Sequence, residues 1–108
     1  HTMRYRVMRV MVFFDLPTVT DADRRNYRQF RKSLIEEGFL MIQESVYVRI
    51  ATTRESAQFL ESRVASFVPP KGIIQSLIVT EKQYAGMRFL AGESVKDISN
   101  FDTKTVVI

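Results

Sequence analysis

Apolar and polar positions change their spacing several times along the chain, and each change marks an element. From Arg6 to Asp15, Val7, Val10, Met11, Val12, Phe13 and Phe14 make a β-prone run. Toward its end apolar residues fill both alternating sets, as a central strand covered on both faces requires. Leu16-Pro17-Thr18 ends the strand, because proline cannot donate to a sheet ladder. The period then becomes helical. Thr20 has the character of an N-cap, Asp21 and Asp23 fall in the first turn, and Gly38 is a natural stop after Glu37. Tyr27, Phe30 and Leu34 form one apolar stripe.

Strand character returns at Phe39-Leu40-Met41-Ile42 and at Val46-Tyr47-Val48-Arg49-Ile50, with Gln43-Glu44-Ser45 between. Two strands joined by a tight turn and one long bulged strand fit this pattern equally. Thr52 with Glu55 three residues on predicts a capping box for a second helix, whose inward stripe is Ala57, Leu60, Val64 and Phe67. Pro69-Pro70 stop it, Lys71-Gly72 lead out, and Ile73 to Thr80 reads as a strand. Glu81 to Gly92 is mixed, with room for a short helical turn. The order is β-α-β-β-α-β. It predicts an α+β, ferredoxin-like domain over residues 4–92: an antiparallel sheet with both helices on one face.

Residues 93–108 continue as a polar stretch and end in the strand-like Thr105-Val106-Val107-Ile108. This tail has no place in a four-stranded sheet of its own. Unpaired apolar edges are a liability, so it is expected to pair with a partner subunit's sheet edge. At the other end, His1-Thr2-Met3 reads as a cloning remnant ahead of a natural Met3. Arg4, Arg6 and Arg9 interrupt any signal-peptide core.

Composition narrows the chemistry. The chain has 108 residues, the size of one domain, and 45% of them are hydrophobic, which excludes disorder as the main reading. Cysteine is absent, so disulfides and thiolate metal sites are excluded and a cytoplasmic location is expected. The one histidine is His1, which removes imidazole as base, ligand or pH switch. No apolar run reaches 18 residues, so no membrane span is predicted. A net charge of +4 favours anionic partners.

The distribution of that charge is more informative. Arg24, Arg25, Arg28, Arg31 and Lys32 crowd into the first helix. At about 100° per residue with Tyr27 at zero, they fall at roughly 60°, 160°, 100°, 40° and 140°. The opposite flank carries the uncharged Asn26, Gln29 and Ser33. The cations thus form one ridge beside the buried stripe, read here as free of balancing acids at helical spacing. A solvated face is the bland account of such a run. One-sidedness and the predominance of arginine, the better bidentate phosphate ligand, favour contact with a phosphate backbone. No zinc-finger spacing or aromatic-rich RNA-binding strand indicates sequence-specific base reading.

Asp15 is the single carboxylate of the first strand, placed where strand becomes loop. It is either a turn-shaping residue ahead of Leu-Pro or a functional one. Mg²⁺ usually takes one or two carboxylates, with waters and phosphate oxygens completing its shell. A two-fold dimer would bring two copies of Asp15 toward one phosphate, where a metal polarises the phosphoryl group. Gln43, Ser45, Tyr47, Glu81 and Tyr84 are further polar candidates, each readily explained as ordinary strand or turn composition.

Taken in order, Phe13-Phe14-Asp15-Leu16-Pro17, Tyr27-Arg28-Gln29-Phe30-Arg31-Lys32, Glu37-Gly38-Phe39, Gln43-Glu44-Ser45-Val46-Tyr47 and Val79-Thr80-Glu81-Lys82-Gln83-Tyr84 resemble the CRISPR-associated Cas2 family, the non-integrase partner in spacer capture. The last of these segments looks most like members that accompany a Cas-nine type effector. The resemblance covers nearly the whole chain. It implies a ferredoxin-like homodimer whose C-terminal strands cross to the partner sheet. It also implies that Asp15 is the catalytic residue and divalent-metal ligand, with Mg²⁺ as the expected cofactor, in members that cleave RNA or DNA. A scaffold role is implied as well, in which the dimer bridges integrase subunits and holds double-stranded DNA. One departure stands out: many members have tyrosine before the aspartate, and this chain has Phe14, which removes a hydroxyl near the metal position.

Two functions therefore stand together, a nucleic-acid-binding scaffold and a Mg²⁺-dependent endonuclease. A ferredoxin-like regulatory or ligand-sensing domain is the alternative, although it lacks a pocket-specifying motif such as a glycine-rich phosphate loop.

Overall fold

The computed structural model describes residues 6–93. It contains β1 (Met8–Asp15), α1 (Asp21–Glu36), β2 (Leu40–Gln43), β3 (Val46–Ala51), α2 (Arg54–Ala65), β4 (Ile73–Thr80) and α3 (Glu81–Ala85). The strands form one sheet in the order β2-β3-β1-β4, with every neighbouring pair antiparallel. This is the expected ferredoxin-like arrangement with a one-turn helix added. The expected C-terminal strand at Thr105 to Ile108 lies outside the described residues.

Strand alternation explains the core. Met8, Val10, Val12 and Phe14 of β1 point to the face covered by the helices, and Tyr47 and Ala51 of β3 join them. Phe30 and Leu34 of α1 and Ala57, Leu60 and Val64 of α2 close over this layer. Phe14 anchors the aromatic part, with its ring centroid 5.1 Å from Phe30, 5.6 Å from Tyr47 and 6.0 Å from Tyr27. Edge and tilted contacts of this kind add to what burial contributes.

The intermediate segment resolves into two strands. Glu44 and Ser45 make the turn between β2 and β3, and a bulge between Met41 and Gln43 shifts the register. A bulge twists and blunts an edge strand.

Gly38 stops the first helix as expected, and one boundary differs. α1 stops at Glu36 and Glu37 is its C-cap, while Gly38 takes φ +90° and the amide of Phe39 reaches back to the carbonyl of Leu34. The second capping box uses Thr53 and Ser56 rather than Thr52 and Glu55. Thr53 Oγ1 accepts from the Ser56 amide at 3.0 Å, and Ser56 Oγ accepts from the Thr53 amide at 3.1 Å. Serine at the third helical position substitutes for the usual Glu or Gln, and the spacing alone favoured the residue one earlier.

The other face of the sheet departs from the expectation that β1 is covered on both sides. Met11 pairs across to Val48 and Leu77, Arg9 to Ile50, and Asp15 to Ile73, so these side chains share that face. Met11 and Val48 at its centre are buried, yet Leu40, Ile50, Ile73 and Leu77 around them are 71%, 51%, 62% and 52% exposed. Isolated exposed apolar residues are ordinary, whereas a contiguous patch marks an interaction surface.

Candidate nucleic-acid interface

The start of α1 is built from its own side chains. Thr20 Oγ1 accepts from the Asp23 amide at 3.0 Å, and an Asp23 carboxylate oxygen accepts from the Thr20 amide at 3.1 Å. This reciprocal box satisfies donors that the first turn leaves unpaired. The bonds from the Thr20 backbone hold the buried Asp23 carboxyl below its ordinary range, against the opposing effect of burial, with smaller help from Lys71. Asp23 is therefore a structural carboxylate.

The same turn removes one cation from the predicted ridge. The Arg24 guanidinium donates to the carbonyls of Thr18, at 3.1 Å, and Val19, at 2.8 Å, and pairs with Asp21. It clamps the loop ahead of the helix. The expectation of an acid-free ridge is corrected here in two ways. Asp21 neutralises Arg24 three residues on, and acids do stand at helical spacing, Asp21 four before Arg25 and Glu36 four after Lys32. Neither of those closes to an ion pair. Arg25, Arg28, Arg31 and Lys32 are exposed and make no ion pair among the described residues. Arg24 is thus the one cation of the five with an acid partner among the described residues.

Arg28 and Arg31 also line a shallow, open groove with Tyr27, Met41 and Glu44. Its far side is set by the turn between β2 and β3. That turn is fixed to the end of β1 by the Phe14 amide, which donates to the Ser45 carbonyl at 3.1 Å.

The C-terminal end of α1 is held differently. No basic residue lies in its last turn, and Arg49 from β3 donates to the exposed carbonyl of Glu37 instead. The Glu37 carboxylate pairs with Arg63 of α2, and that hydrogen bond, with the Arg63 and Arg49 charges, keeps its carboxyl low against the cost of burial. These contacts fix how the basic helix lies on the sheet.

Asp15 is the last residue of β1, exposed, and on the uncovered face opposite the Phe14 ring. Its carboxylate makes no hydrogen bond or ion pair among the described residues. Gly72 explains the shape of this strand end. A Cβ there would stand 2.8 Å from the Asp15 carbonyl oxygen and 2.5 Å from Leu16 Cδ2, at φ +99°. Only glycine allows that approach. Among the described residues no three acids or histidines converge on a metal position. At this strand end the described residues therefore supply one carboxylate, that of Asp15.

The remaining candidates separate. Tyr47 is fully buried among the aromatics and its hydroxyl has no hydrogen-bond partner among the described residues, so it is a core residue. Ser45 acts through its backbone, and Gln43 is exposed at the end of the edge strand. Glu81 accepts both hydrogen bonds of the Arg9 guanidinium, which lies 4.3 Å from the centre of the Tyr84 ring. Sequence reasoning missed Arg9. Its signal was an arginine in an apolar strand, on the set that faces away from the core.

Among the described residues no helix is long and apolar enough to cross a membrane. Residues 8–87 match the family model described as CRISPR associated protein Cas2. The protein of Lacticaseibacillus rhamnosus named CRISPR-associated endoribonuclease Cas2 is 55% identical over 101 residues, covering 94% of this chain and all of its own length. Its namesake from Ligilactobacillus salivarius is 52% identical with the same coverage. The one from Treponema denticola is 44% identical, again across 94% of this chain. A basic helix over an antiparallel sheet, a lone aspartate at the end of its first strand, and likeness along almost the full length agree: the chain belongs to the CRISPR-associated Cas2 family.

Proposed function

We propose that the protein works in CRISPR adaptation as a homodimeric scaffold that holds double-stranded DNA along α1 and bridges integrase subunits. The observation that carries this is the row of four exposed cations, Arg25, Arg28, Arg31 and Lys32, none of them engaged by an acid among the described residues. Cations left free in this way are available to phosphates, and each phosphate contact releases condensed counterions. The uncovered apolar sheet face supports a two-fold pairing of subunits. Bridging of integrase subunits is what the resemblance to the family implies.

A second activity, Mg²⁺-dependent phosphodiester cleavage, is favoured by the unengaged carboxylate of Asp15 and by the endoribonuclease names of the relatives. Asp15 lies on the uncovered face, where a two-fold axis passing near the end of β1 would bring both copies toward one another. Two carboxylates match the usual protein share of a Mg²⁺ shell. A metal held there supplies Lewis-acid polarisation of a phosphoryl oxygen. The chain's own part is to hold Asp15 still, through the β1–β4 ladder and the close seat of Gly72, while α1 retains the strand. RNA and DNA are both candidate substrates.

The test of the scaffold is a salt titration of duplex binding with Arg28→Ala/Arg31→Ala. Loss of two phosphate contacts lowers the log–log slope by about 1.8. An unchanged slope places the phosphates elsewhere.

A further inference from the structure

No side chain among the described residues orients the Asp15 carboxylate by a hydrogen bond or ion pair. Its placement therefore depends on the backbone that carries it. On one side the ladder to β4 holds that backbone, with Asp15 opposite Ile73. On the other side residues 16–20 alone separate it from the start of α1.

Surface loops usually keep freedom at their middle, yet each residue of this one carries a restraint. Leu16 is half-buried against the core and seated on Gly72, with no room for a Cβ there. The ring of Pro17 fixes its own φ. The carbonyls of Thr18 and Val19 both accept from one nitrogen of the Arg24 guanidinium, at 3.1 and 2.8 Å. The amide of Thr20 donates to the Asp23 carboxylate at 3.1 Å. Thr18 and Val19 are exposed, so water would satisfy their carbonyls equally well and the net gain in stability from the clamp is small. What Arg24 removes is conformational freedom of the loop.

We infer that Arg24 is a positioning residue for the Asp15 carboxylate: together with Pro17 it locks residues 16–20, so that the strand end and the basic helix move as one rigid body. The inference rests on the reading of Asp15 as a divalent-metal ligand, and it names the residues outside that site which set it. A ligand fixed before the metal arrives binds it more tightly, because the ordering cost is already met in folding. The gain is greatest where each chain offers a single carboxylate and two strand ends must converge. Loss of a partner that holds a metal ligand in place typically weakens metal affinity about 10–100-fold.

The test is Mn²⁺ binding by the full chain, followed by electron paramagnetic resonance of the free ion. It is run at a concentration where sedimentation velocity gives every variant the same oligomeric state. Asp15→Asn defines the ion that belongs to this site. Arg24→Ala and Pro17→Gly loosen the loop by different means. Each should weaken the Asp15-dependent affinity on the order of ten-fold and speed hydrogen exchange of the Thr20 amide. Arg63→Ala, which removes the ion pair to Glu37 at the far end of α1, should leave Mn²⁺ affinity unchanged whatever it costs in melting temperature. Unchanged affinity in both loosened variants overturns the inference and leaves the metal-ligand reading of Asp15 standing. Weakening by Pro17→Gly alone takes the role from Arg24. Equal weakening by Arg63→Ala also overturns the inference, since the effect would then follow stability rather than the loop. Absence of Asp15-dependent Mn²⁺ binding in the intact chain overturns both readings.

Discussion

Arg9 of β1 and Glu81 of α3, 72 residues apart, meet in a two-pronged ion pair, Nε to Oε1 at 2.7 Å and the second nitrogen to Oε2 at 2.9 Å. The pair seats the start of α3 against the first strand, and the Tyr84 ring lies over the guanidinium. Arg9 holds the Glu81 carboxyl below its ordinary range, first through the hydrogen bond, with burial opposing and the arginine charge assisting. A carboxyl depressed in the folded state binds protons more readily when unfolded. Its stabilisation is therefore fully present above about pH 4.3 and is lost as pH falls through the lower folded value. Glu81→Gln should lower stability at neutral pH by about 0.2–1 kcal/mol, the range for solvent-screened pairs. It should also flatten the acid limb of stability against pH, checked by urea unfolding between pH 3 and 7.

Arg24 and Arg28 sit one turn apart on α1 and should behave differently. Arg24→Ala removes a clamp on Thr18, Val19 and Asp21, so it should lower the melting temperature and leave the salt dependence of DNA binding unchanged. Arg28→Ala should reduce that dependence by about 0.9 in log–log slope with little effect on melting. Equal slopes for the two variants would return Arg24 to the phosphate ridge.

For Asp15, the expected outcome is a separation of functions. Asp15→Ala should abolish divalent-metal-dependent cleavage of RNA or DNA while duplex affinity stays within a factor of about two, since no phosphate contact is lost. Cleavage rates and anisotropy on the same preparation check this. Full cleavage by the variant would end the endonuclease reading.

The Tyr47 hydroxyl is buried with no hydrogen-bond partner among the described residues. Such a group costs about 1–3 kcal/mol relative to leaving it in water. Tyr47→Phe removes it without changing the ring that packs against Phe14. Stability should rise by about 1 kcal/mol or stay level, measured by denaturant unfolding. A clear loss would mean that the hydroxyl finds a partner in solution.

Leu77 and Ile50 lie on the uncovered sheet face, each about half exposed. Introducing charge there, as Leu77→Glu/Ile50→Glu, should leave the monomer folded and dissociate a dimer formed through this face, because an unpaired charge is costly to bury. Sedimentation velocity with circular dichroism separates the two effects. A folded variant that remains dimeric assigns the interface to another surface.

The elements and their order were legible in local pattern because each element's period is set by its own backbone geometry. The strand character of β1 and the Tyr27, Phe30, Leu34 stripe hold, and Asp15 ends its strand where Pro17 required. Ambiguity remained where neighbouring residues were chemically interchangeable. Thr52 and Thr53 both cap well, and Gln43 to Ser45 fit a turn or a bulge.

What tertiary structure decided is which charges are free and which are used. A count of arginines along α1 cannot distinguish Arg24, whose reach ends on carbonyls of its own loop, from Arg28, whose reach ends in solvent. Nor can it reveal that Arg49 crosses from β3 to the carbonyl of Glu37, or that Arg9 meets Glu81. The groove belongs to the same class, since Tyr27 and Met41 come together only when the edge strand folds beside the helix. Local sequence specifies backbone period and caps, whereas availability of a side chain depends on partners brought from distant positions. That is why the basic helix was visible from the sequence and its working face was not.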